Sequence, residues 1–160
     1  MRTHGGIITV SVPRLSLSIG GNLQMDAGSR IDGNVSGCNT GRPITLLSSG
    51  NITTNGQSGN IAAATIRSDS CSGGDIVLYA KGIITIGGLI ESVGTITGTG
   101  ASQTPGGGPI TIDAGGSLTI ADTGKVSSSG LNPAADLVRL GAAGAVSIFG
   151  LGASGNRGRC

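Results

Sequence analysis

Aromatic side chains are almost absent from this chain of 160 residues, which contains one Tyr, one Phe and no Trp. Because Phe, Tyr and Trp usually supply much of the buried area of a globular core, this core must be thin and filled by Ile, Leu, Val and Ala. Aromatic rings also stack the bases of single-stranded nucleic acids, and the ten Lys and Arg residues are spread along the chain. Nucleic acid is therefore not an expected partner.

Charge and histidine are scarce as well: charged residues make up 11% of the chain, and His4 is the sole histidine. No Ser or Cys nucleophile lies at a recognisable spacing from His4. We therefore expect neither a catalytic triad nor a histidine-based metal site. Long apolar runs are missing too, so we expect neither a membrane helix nor a signal-peptide core. The chain is expected to be soluble, and its start inside a strand-like pattern indicates a piece or module of a longer protein.

Glycine is the residue that the chain has in excess. Its 32 glycines and 5 prolines approach the share at which low-complexity disorder becomes a serious interpretation. Disordered segments, however, combine low hydrophobicity with high net charge, whereas here 37% of the residues are hydrophobic and the net charge is +2. The composition therefore favours one folded domain with many turns.

One short phrase recurs along the sequence. In the copy that starts at Ile110, apolar residues follow at offsets of 2, 8 and 10 residues, and a glycine stands at an offset of 6. Five copies start at Leu15, Ile44, Ile76, Ile110 and Val138, at intervals of 29, 32, 34 and 28 residues. Four of them match in full, and the copy at Ile44 departs only in having Thr54 at its last position.

Each copy alternates apolar with polar or small residues, which is the period of a half-buried β-strand. A glycine separates the two alternating segments of each copy. We predict a bend at this glycine, with backbone angles that other residues rarely adopt. A third short segment follows in three copies, at Ile31 to Val35, Ile90 to Ser92 and Val126 to Ser128. Two or three strands per unit of about 30 residues, with no helical pattern, predict an all-β, right-handed parallel β-helix (a solenoid) of about five coils.

A β-sandwich is the alternative fold, since short strands with frequent turns also fit it. A sandwich gives no reason, however, for one eight-residue offset to recur in five copies. A left-handed hexapeptide helix would need an offset of six residues, and it is disfavoured for that reason.

The β-helix divides the chain into a strand or partial coil over residues 1–14, the repeat domain over 15–150 and a tail over 151–160. Its interior is predicted to contain two ladders, which are columns of inward side chains at equivalent positions of successive coils. One ladder consists of Leu15, Ile44, Ile76, Ile110 and Val138, and the other of Leu23, Ile52, Ile84, Leu118 and Val146. Four loops rich in Gly, Ser, Asn and Pro are predicted at residues 36–43, 69–74, 98–109 and 127–136.

Two of the copies carry a family resemblance. The phrases GGDIVLYAKG (Gly73 to Gly82) and GGPITIDAGG (Gly107 to Gly116) resemble the repeated phrase of large secreted bacterial β-helix exoproteins, namely filamentous-haemagglutinin-like adhesins and autotransporter passengers. The resemblance implies a non-enzymatic structural and adhesive rod, secreted or displayed on a bacterial cell surface, whose partners are host or cell-surface glycans or proteins. Because an uncapped β-helix exposes strand edges, we also expect end-to-end self-association or neighbouring coils of a longer chain.

A polysaccharide-active enzyme, a lyase or hydrolase, is the first alternative function. Hydrolysis of a glycoside usually needs two carboxylates that face one cleft. In the coil alignment Asp113 shares its row with Tyr79, and Asp26 shares its row with Ala121, so neither row offers a second acid. The acidic residues are interpreted as solvated turn or corner side chains. The sequence also lacks calcium-binding nonapeptides and a P-loop, so no metal or cofactor is expected.

An ice-binding protein is the second alternative. In the second strand of each copy, the residue between the two apolar positions is Gln24, Thr53, Thr85, Thr119 or Ser147, so three threonines stack. Regular threonine arrays on flat β-helices can order water, but Thr also ladders with itself on any exposed sheet because of its high strand propensity. Val77 and Arg139 interrupt the equivalent row of the first strand, which favours strand propensity as the explanation.

The cysteines Cys38 and Cys71 are 33 residues apart, which is about one coil interval. Stacked in adjacent coils, they would form a disulfide in an oxidising compartment. Cys160 would then be left over and available to another chain.

Overall fold

A computed structural model of the chain describes residues 1–3, 6–9, 12–35, 39–95, 106–130 and 136–149. All regular secondary structure in these ranges is β-strand. The strands are β1 (Arg2–Thr3), β2 (Ile7–Thr9), β3 (Leu15–Ile19), β4 (Leu23–Met25), β5 (Arg30–Asp32), β6 (Ile44–Ser48), β7 (Ile52–Thr54), β8 (Thr65–Arg67), β9 (Ile76–Ala80), β10 (Ile84–Ile86), β11 (Leu89–Val93), β12 (Ile110–Ala114), β13 (Leu118–Ile120), β14 (Lys125–Ser129), β15 (Val138–Ala142) and β16 (Val146–Ile148).

The strands form three parallel sheets, because each strand pairs with the strand three places before or after it. Sheet A has the order β1-β4-β7-β10-β13-β16, sheet B the order β2-β5-β8-β11-β14 and sheet C the order β3-β6-β9-β12-β15. One coil therefore passes through sheets C, A and B in turn before the chain returns to sheet C. The predicted parallel β-helix is confirmed, and the sandwich is excluded, since its strands would be antiparallel.

The predicted number of coils is slightly too high. Four coils are complete, namely β3 to β5, β6 to β8, β9 to β11 and β12 to β14. Strands β1 and β2 form a partial coil before them, and β15 and β16 form a partial coil after them. The fifth copy of the phrase, which starts at Val138, thus contributes two strands within the described ranges and not a full turn.

The strand register confirms both predicted interior ladders. Ile110 lies between Ile76 and Val138 in sheet C, and the other members of that ladder follow in the same register. Leu118 lies between Ile84 and Val146 in sheet A. A third ladder comes from sheet B and consists of Ile31, Ile66, Ile90 and Val126. The narrow space between the three sheets is filled by aliphatic side chains, as the lack of aromatic residues predicted.

Two local expectations about sheet B were wrong. Strand β8 (Thr65–Arg67) was not predicted, because a long loop separates it from β7 and hides the repeat interval. The third segment predicted at Val126 to Ser128 lies within β14, where Ser127 pairs with Glu91, so the loop predicted at residues 127–136 begins too early. Both errors arise because the strands of sheet B carry a single inward apolar residue, which is too short a pattern to recognise alone.

In the later copies the glycine of the phrase makes room for close stacking and does not adopt unusual backbone angles. In the described ranges only Gly28 and Gly59 have positive φ, so the explanation from backbone angles is wrong. A Cβ on Gly82 would contact Asn51 Oδ1 of the preceding coil, and one on Gly144 would lie 2.8 Å from Ser117 Oγ. Gly21, in the first complete coil, would have nothing within 4 Å of its added Cβ. An added Cβ would thus be crowded where the glycine lies against the preceding coil, and at Gly116 it would lie 3.2 Å from Gly82 O.

Serines, buried in the second and third complete coils and partly buried in the fourth, close the corner between sheet B and sheet C. Ser92 Oγ donates to Gly74 O at 2.8 Å and accepts from Gly108 N–H at 2.9 Å. Ser68 Oγ likewise donates to Arg42 O at 2.6 Å, and Ser128 Oγ to Gly108 O at 2.9 Å. Each serine satisfies a carbonyl that the turn would otherwise bury without a partner. The same bond therefore recurs coil after coil at this corner.

Replacing a glycine of this corner tests the close stacking. A Cβ at Gly108 would meet the backbone of Gly74 and lie 2.7 Å from Gly73 O. We expect Gly108→Ala to lower the free energy of unfolding by about 1–3 kcal/mol through overpacking, measured by urea denaturation. Gly21→Ala, where the space is open, should change it by less than about 0.5 kcal/mol. Equal effects of the two substitutions would contradict the stacking argument.

Candidate functional site

The outward face of sheet A carries the predicted threonine row. Thr53, Thr85 and Thr119 lie in register on successive strands, between Gln24 at one end and Ser147 at the other. On sheet C, Val77 and Arg139 interrupt the row that contains Thr45 and Thr111. The threonines therefore form one column, with a repeat of about 4.8 Å set by strand pairing.

The face of sheet B carries a charge cluster that the row analysis missed. Arg67 pairs in register with Asp32 on one side and with Glu91 on the other. Its Nη2 lies 2.6 Å from Asp69 Oδ2 and 3.1 Å from Glu91 Oε2. Both carboxylates are mostly buried, so the expectation that acidic side chains are solvated and solitary was wrong here. Arg67 and Glu91 occupy equivalent positions of sheet B, a register that the single apolar residue of each sheet B strand does not reveal in the sequence.

The cluster links neighbouring strands of sheet B through side-chain contacts. Asp69 Oδ1 accepts from Val93 N–H at 2.8 Å, and its Oδ2 accepts from Arg67 Nε at 2.8 Å. The guanidinium of Arg67 thus joins Asp69 to Glu91 of the next strand in sheet B.

The charge cluster should contribute modestly to stability. We expect Arg67→Gln to lower the free energy of unfolding by about 0.5–1 kcal/mol at low salt, because the exposed part of the network is screened by water. The difference from the unsubstituted chain should shrink in about 1 M NaCl. Arg139→Gln, at an exposed position of sheet C, serves as the control and should have no measurable effect. An unchanged or growing difference at high salt would contradict an electrostatic role.

A loop insertion forms a cleft on the described surface. The connection from sheet A to sheet B has ten residues, 55–64, in the second complete coil, against four, two and four residues at 26–29, 87–88 and 121–124. The extra residues turn back at Gly59, whose φ is 57°, a conformation that glycine adopts readily. Ser58 and Ile61 exchange backbone hydrogen bonds of 3.1 and 3.0 Å across this turn. The loop therefore projects beside the corner of the coil before it.

The cleft between this loop and that corner has a volume of about 700 Å³. We call it the Asp26 cleft. It is lined by Asp26, Ala27, Asn55, Gly56, Gln57, Ser58 and Ile61. Asp26 Oδ1 accepts from Gln24 Nε2 at 2.7 Å and from Asn55 Nδ2 at 3.0 Å, while its Oδ2 accepts from Arg2 Nε at 2.9 Å. The carboxylate is thus held in one orientation by three neighbours.

The Asp26 cleft combines a fixed acceptor, amide groups and one apolar wall. The Ile61 side chain is 55% exposed, so part of its aliphatic surface faces solvent. Binding sites for small molecules commonly pair apolar walls with a few well-placed polar groups. The sequence interpretation had Asp26 as a solitary corner acid and did not name the 55–64 loop. The interval of 32 residues between the copies at Ile44 and Ile76 was the available signal.

The cysteine prediction falls partly outside the described residues. Cys71 is buried and forms a disulfide, whereas Cys38 and Cys160 lie outside the described ranges, as does His4. Ser72 N–H donates to Asn39 O at 3.2 Å, so the segment that directly follows Cys38 runs beside Cys71. This arrangement supports the pairing of Cys38 with Cys71, which stays a prediction.

The described ranges contain no helix with the length and apolar character needed to cross a membrane. In the same ranges no three His, Cys, Asp or Glu side chains are grouped closely enough to hold a metal ion.

In comparisons with known proteins, no family model, no curated protein and no solved structure matches the chain. The resemblance to filamentous-haemagglutinin-like adhesins therefore depends on its two phrases alone.

Proposed function

We propose that this chain is a non-enzymatic adhesive module, secreted or displayed on a bacterial cell surface, that binds glycans of a cell or matrix. The observation that carries the proposal is the Asp26 cleft, which an insertion loop forms on the side of an otherwise regular rod. The location on a bacterial surface comes from the resemblance of the repeated phrase. The rod supplies a stiff support, and the loop supplies the specificity, as is common for loops on rigid scaffolds.

The chemistry of the cleft favours a neutral sugar unit. A carboxylate accepts hydrogen bonds from hydroxyl groups, and amides of Asn and Gln both donate and accept. The exposed aliphatic surface of Ile61 matches the apolar C–H face of a sugar ring. Because Arg2 already balances the charge of Asp26 with a 2.9 Å ion pair, the cleft offers no net charge to attract a strongly charged ligand.

Glycan binding is tested with the purified chain on an array of immobilised neutral oligosaccharides. We expect Asp26→Ala to weaken binding at least about tenfold. The ligand hydroxyl that bonds to Asp26 would lose its acceptor, which costs more than about 1.4 kcal/mol of binding free energy, and 1.4 kcal/mol is a factor of about ten in the dissociation constant. Ile61→Ser should weaken binding without touching the ion pair to Arg2. Asp122→Ala is the matched control, because Asp122 is an exposed acid in the equivalent turn, residues 121–124, of the fourth complete coil.

The binding proposal fails if no glycan is retained, or if both cleft variants bind as tightly as the control. An enzymatic alternative predicts a different result, namely that the chain shortens a polysaccharide over time. The joint binding of Asp69 and Glu91 by Arg67 supports the non-enzymatic proposal, because neither carboxylate faces the Asp26 cleft. Release of new reducing ends from any tested polysaccharide would overturn it.

Ice binding is a second candidate, favoured by the column of Thr53, Thr85 and Thr119 on sheet A. An ice-binding face needs regular hydroxyls over an area, and a single column of strand-spaced threonines gives regularity in one direction only. We therefore expect no thermal hysteresis from the purified chain at millimolar concentration. Hysteresis that disappears in Thr85→Lys, and is kept in Thr111→Lys on sheet C, would establish this function instead of adhesion.

A further inference from the structure

The corner between sheets C and A carries the acceptor motif for N-linked sugars, which is Asn-x-Ser/Thr with any residue but proline at x. Its residues are Asn51, Ile52 and Thr53. Asn51 directly precedes β7, and Thr53 lies in the middle of that strand. A second motif starts at Asn34 and ends at Ser36, which lies outside the described ranges. Because the motif is short, the surroundings of Asn51 decide whether a sugar fits there.

Asn51 uses every polar atom except its side-chain nitrogen to hold neighbouring coils together. Its N–H donates to Asn22 Oδ1 at 2.8 Å, and its carbonyl accepts from Leu23 N–H at 2.8 Å. Its Oδ1 accepts from Ile83 N–H, also at 2.8 Å. Within the described ranges the Nδ2 of Asn51 makes no hydrogen bond. The one atom that an N-linked sugar occupies is thus the atom that the fold leaves free.

Attachment of a sugar would keep all of these hydrogen bonds. The reaction forms a bond between Nδ2 and the anomeric carbon of a sugar diphosphate, and it breaks the bond between that carbon and the phosphate oxygen. The diphosphate leaves with the electron pair, and Nδ2 loses one proton to solvent. Oδ1 of Asn51 remains a carbonyl oxygen, so it still accepts from Ile83 N–H. The modified side chain therefore fits the corner as the free one does.

The position of Asn51 also suits a bulky group. Asn51 is exposed, whereas the next residue, Ile52, is fully buried and anchors the start of β7 in the core. Asn22 occupies the same position one coil earlier and is exposed as well, but Gln24 follows it in place of Thr or Ser. The later coils have Ile83, Ser117 and Ala145 at this position. An exposed asparagine and a complete motif thus coincide here in one coil.

We propose that Asn51 is an acceptor site for an N-linked hexose, transferred from a hexose diphosphate donor before the rod folds. Transfer has to come first, because β7 is paired on both edges, with β4 and with β10. A transferase that binds the backbone of the motif cannot reach it within a sheet. The fold then accepts the modified residue, since its Nδ2 has no role in the stacking of the coils.

The sugar would lie apart from the Asp26 cleft. Asn51 precedes β7, and Asn55, which lines the cleft, follows it. Four residues of extended chain separate the two by about 13 Å. At Asn55 the side-chain nitrogen is already used, because it donates to Asp26 Oδ1 at 3.0 Å. The modification therefore leaves the cleft accessible, and it does not depend on glycan binding there.

Production of the full chain together with an N-glycosyltransferase that recognises this motif, and with a nucleoside-diphosphate hexose, tests the site. In a chain with Ser36→Ala, which removes the second motif, fragment mass spectrometry should locate one hexose on Asn51. Thr53→Val keeps a β-branched side chain but removes the hydroxyl of the motif, so the hexose should be lost. Thr85→Val is the matched control, because Thr85 pairs with Thr53 in sheet A but belongs to no motif. The control should carry the hexose as the parent chain does.

The folded state of the modified chain gives a second measurement. Chains with and without the hexose should unfold at the same temperature, and hydrogen exchange of the Ile83 amide should be equally slow in both, because Asn51 Oδ1 still accepts from it. A hexose missing from Asn51, or kept in Thr53→Val, would overturn the proposal. Modified chain that is found only in the insoluble fraction, or that loses protection at Ile83, would contradict it as well.

Discussion

Each coil of this rod must fit onto its neighbour at the fixed spacing of hydrogen-bonded strands, about 4.8 Å. At that distance a side chain that points inward contacts the side chain at the equivalent position of the next coil. A side chain that points into a corner contacts the backbone of the neighbouring coil. Ile76 and Ile110 can therefore be alike and aliphatic, while Gly74 and Gly108 can have no Cβ at all. The repeated phrase in the sequence results from this one constraint, and so does the excess of glycine.

The same constraint explains what the sequence made predictable. Both ladders and the starts of all five copies in sheet C could be placed, because sheets C and A repeat four apolar positions in each coil. Sheet B repeats a single inward apolar residue, which explains why β8 was not predicted and why the loop after β14 was predicted to begin too early, at Ser127. The role of the glycines was misjudged, since a sequence shows that a Cβ is missing but not which atoms would meet it.

The feature that bears on function arises where the repeat is broken. An insertion at residues 55–64 adds length to one corner and forms the Asp26 cleft. The interval of 32 residues indicates extra length in this coil, but the regular pattern defines neither the position nor the conformation of the insertion. Asp26 shows this well: its row contains no second acid, yet Arg2, Gln24 and Asn55 orient its carboxylate.

Removal of one whole coil tests the stacking constraint most directly. Deletion of residues 76–109 joins Asp75 to Ile110, so that Ile110 can stack on Ile44 in unchanged register. Since repeat folds gain stability one neighbour contact at a time, this shorter rod should fold cooperatively, keep its β-sheet circular dichroism and unfold at a lower temperature. Deletion of residues 76–110 differs by one residue, turns every later side chain to the other face and should not fold. Equal behaviour of the two deletions in thermal unfolding, whether both fold or both fail, would contradict the account.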